Sequence, residues 1–149
     1  MNTKLNFIVK CLIVTGMILG VALFVWVAAD ALKFSPSDFT SGELVRIFVS
    51  AGLALLCLVG CEYIAFTLLS MMRSLDGNPF CVENVTALRR MGFTALAVMA
   101  CGLLTMAFWA VPLAVVGALP VGMCGLFSLV LSGVFARAVA FKEENDLTV

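Results

Sequence analysis

A chain of 149 residues that is 63% hydrophobic and only 12% charged is far more apolar than a soluble domain, in which about half the residues are apolar and about a quarter charged. Nine basic and nine acidic side chains cancel, so no overall field attracts nucleic acid, and no direct nucleic-acid partner is predicted. The sequence has no histidine, the commonest metal ligand and general base. These features predict a membrane protein whose principal partner is the lipid bilayer, and they favour neither an enzyme nor a cofactor or metal site.

The first apolar segment, about residues 7–29, contains one charge, Lys10. At 1.5 Å per residue it is long enough to cross a hydrocarbon core of about 30 Å, and it exceeds the apolar part of a signal peptide. The polar residues 30–43 follow as an exterior loop. Within them, Thr40 and Glu43 have the spacing of a capping box that opens the next helix.

The second predicted helix, about residues 44–72, carries an acidic side chain, Glu62, near its middle. Its aliphatic and aromatic residues outweigh the roughly 2.5–3.5 kcal/mol that a charged group adds to insertion near the bilayer centre. Residues 73–90 contain strong turn-forming residues and then a short helical pattern that ends in Arg89 and Arg90. We therefore predict a cytoplasmic hairpin over 73–90.

The next 46 residues, 91–136, contain no charge and as one straight helix would be about 69 Å long, which is more than twice the hydrocarbon core. They must therefore fold back once. Proline and glycine favour a reversal near residues 116–120, giving a third helix over about 91–115 and a fourth over about 121–141. The fold class is then all-α: a single domain, residues 1–149, that forms an integral membrane bundle of four transmembrane helices.

The distribution of basic residues predicts the orientation of these helices. Cytoplasmic flanks of membrane helices are enriched in lysine and arginine. Only Lys33 and Arg46 fall on one side of the predicted bundle, whereas the other side carries Lys4, Lys10, Arg73, Arg89, Arg90, Arg137 and Lys142. Both the N and the C terminus are therefore expected in the cytoplasm of a multi-pass protein of the cell membrane.

Two short motifs resemble a known family. The central loop reads Gly77-Asn78-Pro79-Phe80, then Glu83-Asn84-Val85, then Leu88-Arg89-Arg90-Met91-Gly92, and the chain ends in an acidic tail after Phe141. Together they resemble the bacterial membrane proteins grouped as domain of unknown function number 2975. The resemblance implies four membrane helices, no established activity, and a small helix-turn-helix regulator encoded nearby. Thr86 and Ala87 stand where a further basic residue is common in that family.

Glu62 is the most informative polar residue, because a carboxylate inside a membrane needs a partner or a proton. One interpretation is structural: it pairs with Lys10 or Arg137, or as a neutral acid it bonds a hydroxyl of Thr15, Ser128 or Ser132. The other interpretation is functional, an ion or proton site in a small transporter or channel subunit. The structural interpretation is favoured, since one acid without further polar groups makes a poor relay.

Small residues and cysteines recur at four-residue spacing. Cys57 and Cys61 share a helix face beside Glu62, but C-x-x-x-C in mid-helix fits neither a redox pair nor a metal site, so packing between helices is favoured. The pair Gly16 and Gly20, and a ridge on the fourth helix, also favour close packing. That ridge comprises Ser128, Ser132, Ala136 and Ala140. Packing within one chain is favoured over packing in a homo-oligomer.

The hairpin and the tail form the largest predicted cytoplasmic surface. One interpretation is an interfacial helix whose arginines contact anionic lipid. The other is a docking site for a cytoplasmic regulator protein, and the two are evenly matched. The candidate contact residues for lipid or partner are Pro79, Phe80, Glu83, Asn84, Arg89 and Arg90. The leading functional hypothesis is a non-enzymatic protein that acts by binding such a regulator, and the alternative is the transporter or channel subunit that uses Glu62.

Overall fold

The structure is a computed structural model that describes residues 3–31, 33, 39–74, 81–108 and 112–146. Within these residues the chain forms four helices and no strand: α1 (Thr3–Ala31), α2 (Ser41–Ser74), α3 (Val82–Phe108) and α4 (Pro112–Asp146). Each contains a stretch long and apolar enough to cross a membrane. The prediction of an all-α bundle of four membrane-spanning helices is therefore confirmed.

Helix α2 begins three residues before the predicted position, and a capping interaction explains where it starts. The Glu43 carboxylate accepts hydrogen bonds of 2.8 Å from both the backbone N–H and the hydroxyl of Thr40. The backbone N–H of Leu44 in turn donates to the Thr40 carbonyl at 3.0 Å. These bonds satisfy groups that the first helical turn would otherwise leave without partners, as the spacing of Thr40 and Glu43 predicts.

The predicted boundary between the hairpin and the third helix is wrong. Helix α3 begins at Val82 and runs without a break to Phe108, so residues 82–90 are its first turns rather than a separate short helix. These residues contain neither proline nor glycine, and nothing interrupts the hydrogen-bond ladder. Arg89 and Arg90 therefore mark a change in polarity along one helix. Residues 75–80 of the predicted hairpin lie outside the described residues.

The predicted reversal at residues 116–120 is also misplaced. Helix α3 ends at Phe108 and α4 starts at Pro112, so Pro120 lies inside a helix. Proline is well suited to the first position of a helix, where its missing N–H would have no partner in any case. A proline further along is tolerated in membrane helices because neighbouring helices and local adjustments satisfy the freed carbonyl. Helix α4 also extends to Asp146, so much of the acidic tail is helical.

The most extensive contact in the described structure is the antiparallel α3–α4 seam, where small residues let the two backbones approach closely. A Cβ added at Gly125 would lie 2.8 Å from Ala95 Cβ and 3.0 Å from the Gly92 carbonyl oxygen. One added at Gly102 would lie 2.9 Å from Ala118 Cβ. Several side chains on these two helices are buried, namely Leu88, Met91, Ala95, Ala118, Ser132 and Val139.

The remaining helices pack in chain order, and the contacts become sparser toward the N-terminus. Helix α2 packs on α3, where the Cys57 thiol donates to the Val98 carbonyl at 3.7 Å and Gly60 lies against the Val98 side chain. Helix α1 packs on α2 around Gly20 and shares no more than marginal contact with the other described helices. The bundle is therefore tight at α3–α4 and loose at α1.

Candidate functional site

Glu62 lies in a groove that all four helices contribute to, which we call the Glu62 groove. It is open to the surroundings rather than enclosed, and its volume is about 530 Å³. It arises because α1 packs on α2 without closing onto α4. The lining residues are almost all apolar or small: Ile13, Gly16, Met17, Gly20, Leu58, Cys61, Glu62, Ile64, Ala65, Leu68, Met91, Ala95, Pro120, Val121, Cys124 and Ser128.

The Glu62 carboxylate faces α1 across the groove. A Cβ built on Gly20 would lie 3.5 Å from Glu62 Oε1 and 3.8 Å from Leu58 Cδ1, which are ordinary van der Waals distances. Gly20 thus leaves room above the carboxylate without a steric requirement for glycine. Gly16, one turn away, has open space where its Cβ would be. The G-x-x-x-G pair therefore lines the groove instead of forming a tight helix contact.

The structure does not bring the predicted polar site together. Gly20 lies opposite Glu62. Lys10 precedes Gly20 by ten residues, which is about 15 Å along the axis of α1. On α4 the groove includes Ser128, and Arg137 lies nine residues further, or about 13 Å. Among the described residues no ion pair joins Glu62 to either base.

The predicted hydroxyl partners of Glu62 are also engaged elsewhere or only nearby. Thr15 donates to the Cys11 carbonyl at 2.8 Å, and Ser132 donates to the Leu129 carbonyl at 2.7 Å. Ser128 lines the groove, but no hydrogen bond joins it to the carboxylate in the described structure. Glu62 is thus a half-buried acid in a largely apolar groove.

A second, more polar crevice lies between the end of α2 and the start of α3. This α2–α3 crevice has a volume of about 530 Å³. It is lined by Tyr63, Phe66, Thr67, Ser70, Val82, Glu83, Thr86, Ala87 and Arg90. It therefore combines an acidic and a basic side chain with four hydroxyl-bearing ones. Two of the predicted contact residues, Glu83 and Arg90, line this crevice about 10 Å apart along α3.

The other predicted contact residues are placed differently. Arg89 is exposed, whereas Asn84 is only 3% exposed and lies within the packed structure. A buried amide is suited to holding the start of α3 in place more than to contacting a partner. Pro79 and Phe80 lie outside the described residues.

The α3–α4 register brings further charges to the same end of the bundle. On α3 the contact residues run from Gly92 to Gly102, while their counterparts on α4 run backwards from Leu129 to Ala118. Continued in the other direction, this register brings Glu83 level with Arg137. The exposed side chains of Lys142 and Glu144 lie beyond them on α4.

Metal binding has no obvious location in this structure. In residues 3–31, 33, 39–74, 81–108 and 112–146, no three or more cysteine, aspartate or glutamate side chains lie close enough together to hold an ion. The six cysteines are free. Cys57 packs on α3, whereas Cys61 lines the Glu62 groove, so the two thiols lie in different environments.

Four long apolar helices in antiparallel packing define the class as a membrane-embedded helical bundle. The chain belongs to the family described as protein of unknown function DUF2975, whose model matches residues 40–149. The match covers α2, α3 and α4 and begins after α1. No curated protein and no solved structure matches the chain.

Sequence reasoning missed the residues that form the α3–α4 seam. The predicted ridge on α4 included Ala136 and Ala140, which are exposed, while the tight contacts are made about three to five turns before Ala136 by Ala118, Gly122 and Gly125. The available signal was two matching series of small residues at spacings of three and four, one on each helix. A reversal at residues 116–120 would place Ala118 outside the fourth helix, so the series on α4 is not evident from the predicted boundaries.

Proposed function

We propose that this protein is a non-enzymatic membrane protein that acts by binding a cytoplasmic partner protein at the charged end of its bundle. The observation that carries the proposal is the α2–α3 crevice, where Glu83 and Arg90 line one concave surface. The expected partner is the small helix-turn-helix regulator that the family resemblance implies. The lack of histidine supports a role without acid–base chemistry.

The distribution of basic residues supports a cytoplasmic location for this end. In the antiparallel bundle, the start of α1, the end of α2, the start of α3 and the end of α4 come together. Seven of the nine basic residues belong to that end, against Lys33 and Arg46 at the other. Such an excess is typical of the cytoplasmic side, and we propose that both termini face the cytoplasm of a bacterial inner membrane.

The mixed charge of the crevice favours a protein over lipid as its occupant. An anionic headgroup would be attracted by Arg90 but repelled by Glu83, which lies two turns, or about 10 Å, away on the same side of α3. A protein surface can present a base to Glu83 and an acid to Arg90 at once, and such complementary pairs provide specificity. The hydroxyl groups of Tyr63 and Ser70 can donate or accept hydrogen bonds to a partner. Those of Thr67 and Thr86 already donate to the carbonyls of Tyr63 and Val82, so they can accept.

Titration of the purified regulator onto the protein in zwitterionic lipid nanodiscs would test this proposal. Each of the charge reversals Glu83→Lys and Arg90→Glu is expected to weaken binding at least tenfold, since each creates a like-charge contact. Lys33→Glu, a charge reversal at the other end, is the matched control and should leave the affinity unchanged. Absence of binding to the wild type, or equal affinity for all four proteins, would exclude this site.

A second candidate function, a small transporter or channel subunit that works as a homo-oligomer, is favoured by one observation. Glu62 lies in a groove reached by all four helices. An ionisable residue inside a membrane protein is commonly part of a transport pathway. Proton-coupled dye flux in vesicles should then be lost in Glu62→Gln and retained in Glu43→Gln. Equal flux for the wild type and Glu62→Gln would remove this candidate.

A further inference from the structure

The Glu62 groove combines a single carboxyl group with an extended apolar surface. Of the described residues that line it, Glu62 alone is acidic or basic. Ile13, Met17 and Leu58 are among the aliphatic side chains around the carboxylate. Its volume of about 530 Å³ lies within the range of about 300–1,000 Å³ that is usual for small-molecule sites.

The contacts of the Glu62 carboxylate decide what the groove can bind. Within the described part of the chain, neither an ion pair nor a hydrogen bond is made to Glu62. A carboxylate in apolar surroundings is stabilised when a ligand of opposite charge binds beside it. The groove is open, so such a group could approach from the surrounding membrane.

We propose that the Glu62 groove binds a lipophilic organic cation, with the cationic centre against the Glu62 carboxylate and the apolar body against α1 and α4. Charge complementarity selects the cation, since an anionic lipid would be repelled and a neutral acyl chain would leave the carboxylate uncompensated. The apolar lining selects a lipophilic ion over a hydrated inorganic one, which needs several oxygen ligands. This inference deepens the second candidate function, the transporter or channel subunit, and rests on it because both use Glu62. It does not depend on the docking of a partner protein.

Binding of labelled tetraphenylphosphonium to the full-length protein in zwitterionic nanodiscs tests the proposal. Protein-free nanodiscs give the partition of the ion into lipid, which is subtracted. Tetraphenylborate has nearly the same shape and the opposite charge, and it serves as the matched ligand control. The wild type should bind the cation saturably, with about one site per chain, and should show no saturable binding of the anion.

Two substitutions address the charge and the space separately. Glu62→Gln keeps the size of the side chain and removes its charge, so the affinity for the cation should fall at least tenfold. Gly20→Leu fills the space that lies 3.5 Å from Glu62 Oε1 and should reduce the number of binding sites. Glu43→Gln and Gly52→Leu are the matched controls, because Gly52 has open space and neither residue lines the groove. Both controls should bind like the wild type.

Glu62→Asp guards against a folding artefact, since it retains the charge and should keep the affinity within about threefold of the wild type. Equal cation binding by the wild type and Glu62→Gln, or saturable binding of the anion, would overturn the proposal. Absence of saturable binding would also overturn it, and nanodisc masses that show a dimer lost in Gly20→Leu would then identify a second copy as the occupant. Cation binding without flux would support the site while removing the transport function.

Discussion

The α3–α4 seam and the contact between α1 and α2 are both antiparallel helix pairs, yet they are built differently. In the seam, backbones approach so closely that an added Cβ at Gly125 would collide with Ala95 and with the Gly92 carbonyl. Between α1 and α2, an added Cβ at Gly20 would meet Glu62 and Leu58 at normal contact distances. The same residue type therefore marks a steric requirement in one place and open space in the other.

This difference separates the part of the molecule that fixes the fold from the part that can bind. In a membrane, lipid is as apolar as the helix surface, so association depends on close packing more than on the hydrophobic effect. The seam provides such packing, whereas α1 leaves the Glu62 groove beside it. The family match, which begins at residue 40, includes the seam and not α1. We expect the seam to dominate stability and α1 to shape the binding site.

The largest effect is expected from Gly125→Leu. Its side chain would have to enter a space where the first carbon already lies 2.8 Å from Ala95 Cβ, so the free energy of unfolding should fall by about 3 kcal/mol or more. Gly133→Leu, on the same helix but with open space around it, is the control and should change it by less than about 0.5 kcal/mol. Equilibrium unfolding in mixed micelles measures both, and equal losses would show that the seam is not the tight contact.

An intermediate effect is expected where a buried side chain is shortened. Val98 is only 7% exposed and packs against Gly60, so Val98→Ala should lower the free energy of unfolding by about 1–2 kcal/mol through lost packing. Val25, on α1, is 58% exposed, so its contacts are largely with lipid both before and after the same substitution. Val25→Ala should therefore change stability by less than about 0.5 kcal/mol. A loss as large for Val25 would mean that α1 is held more firmly than its contacts indicate.

The number and kind of the helices could be predicted because the length of an apolar run is set by the thickness of a bilayer, which is known in advance. Their ends could not be predicted as well. The pair Arg89 and Arg90 predicts the end of one helix, but charge marks where a helix leaves the apolar region and not where its hydrogen bonds stop. Likewise Pro112 and Pro120 are both helix breakers by type, and only the packing of α4 on α3 from Ala118 onward determines which one starts the helix.

The candidate site divides in the same way. Glu62 could be singled out from sequence because a charge within an apolar run is conspicuous and energetically unfavourable. Its surroundings depend on how far each helix is shifted along its neighbours. That shift places Gly20 opposite the carboxylate. It leaves Lys10 about 15 Å from Gly20 along α1 and Arg137 about 13 Å from Ser128 along α4. The residues of the α3–α4 seam determine how α3 and α4 are shifted along each other. They are small and apolar, and because such residues occur throughout this chain, the sequence does not single them out.

The smallest effect, and the one that tests the comparison most directly, is expected from alanine at two glycines. Gly20→Ala meets only van der Waals contacts, and alanine favours a helix over glycine by up to about 1 kcal/mol, so stability should stay equal or rise by less than that. Gly125→Ala gains the same helix preference but adds a carbon 2.8 Å from Ala95 Cβ and 3.0 Å from a carbonyl oxygen, so stability should fall. Because the chemical change is identical, the difference in unfolding free energy between the two variants reports the closeness of the two helix contacts. A fall of equal size at both positions would mean that α1 is packed on α2 as tightly as α3 is on α4, and the groove beside Glu62 would then have no room to bind anything.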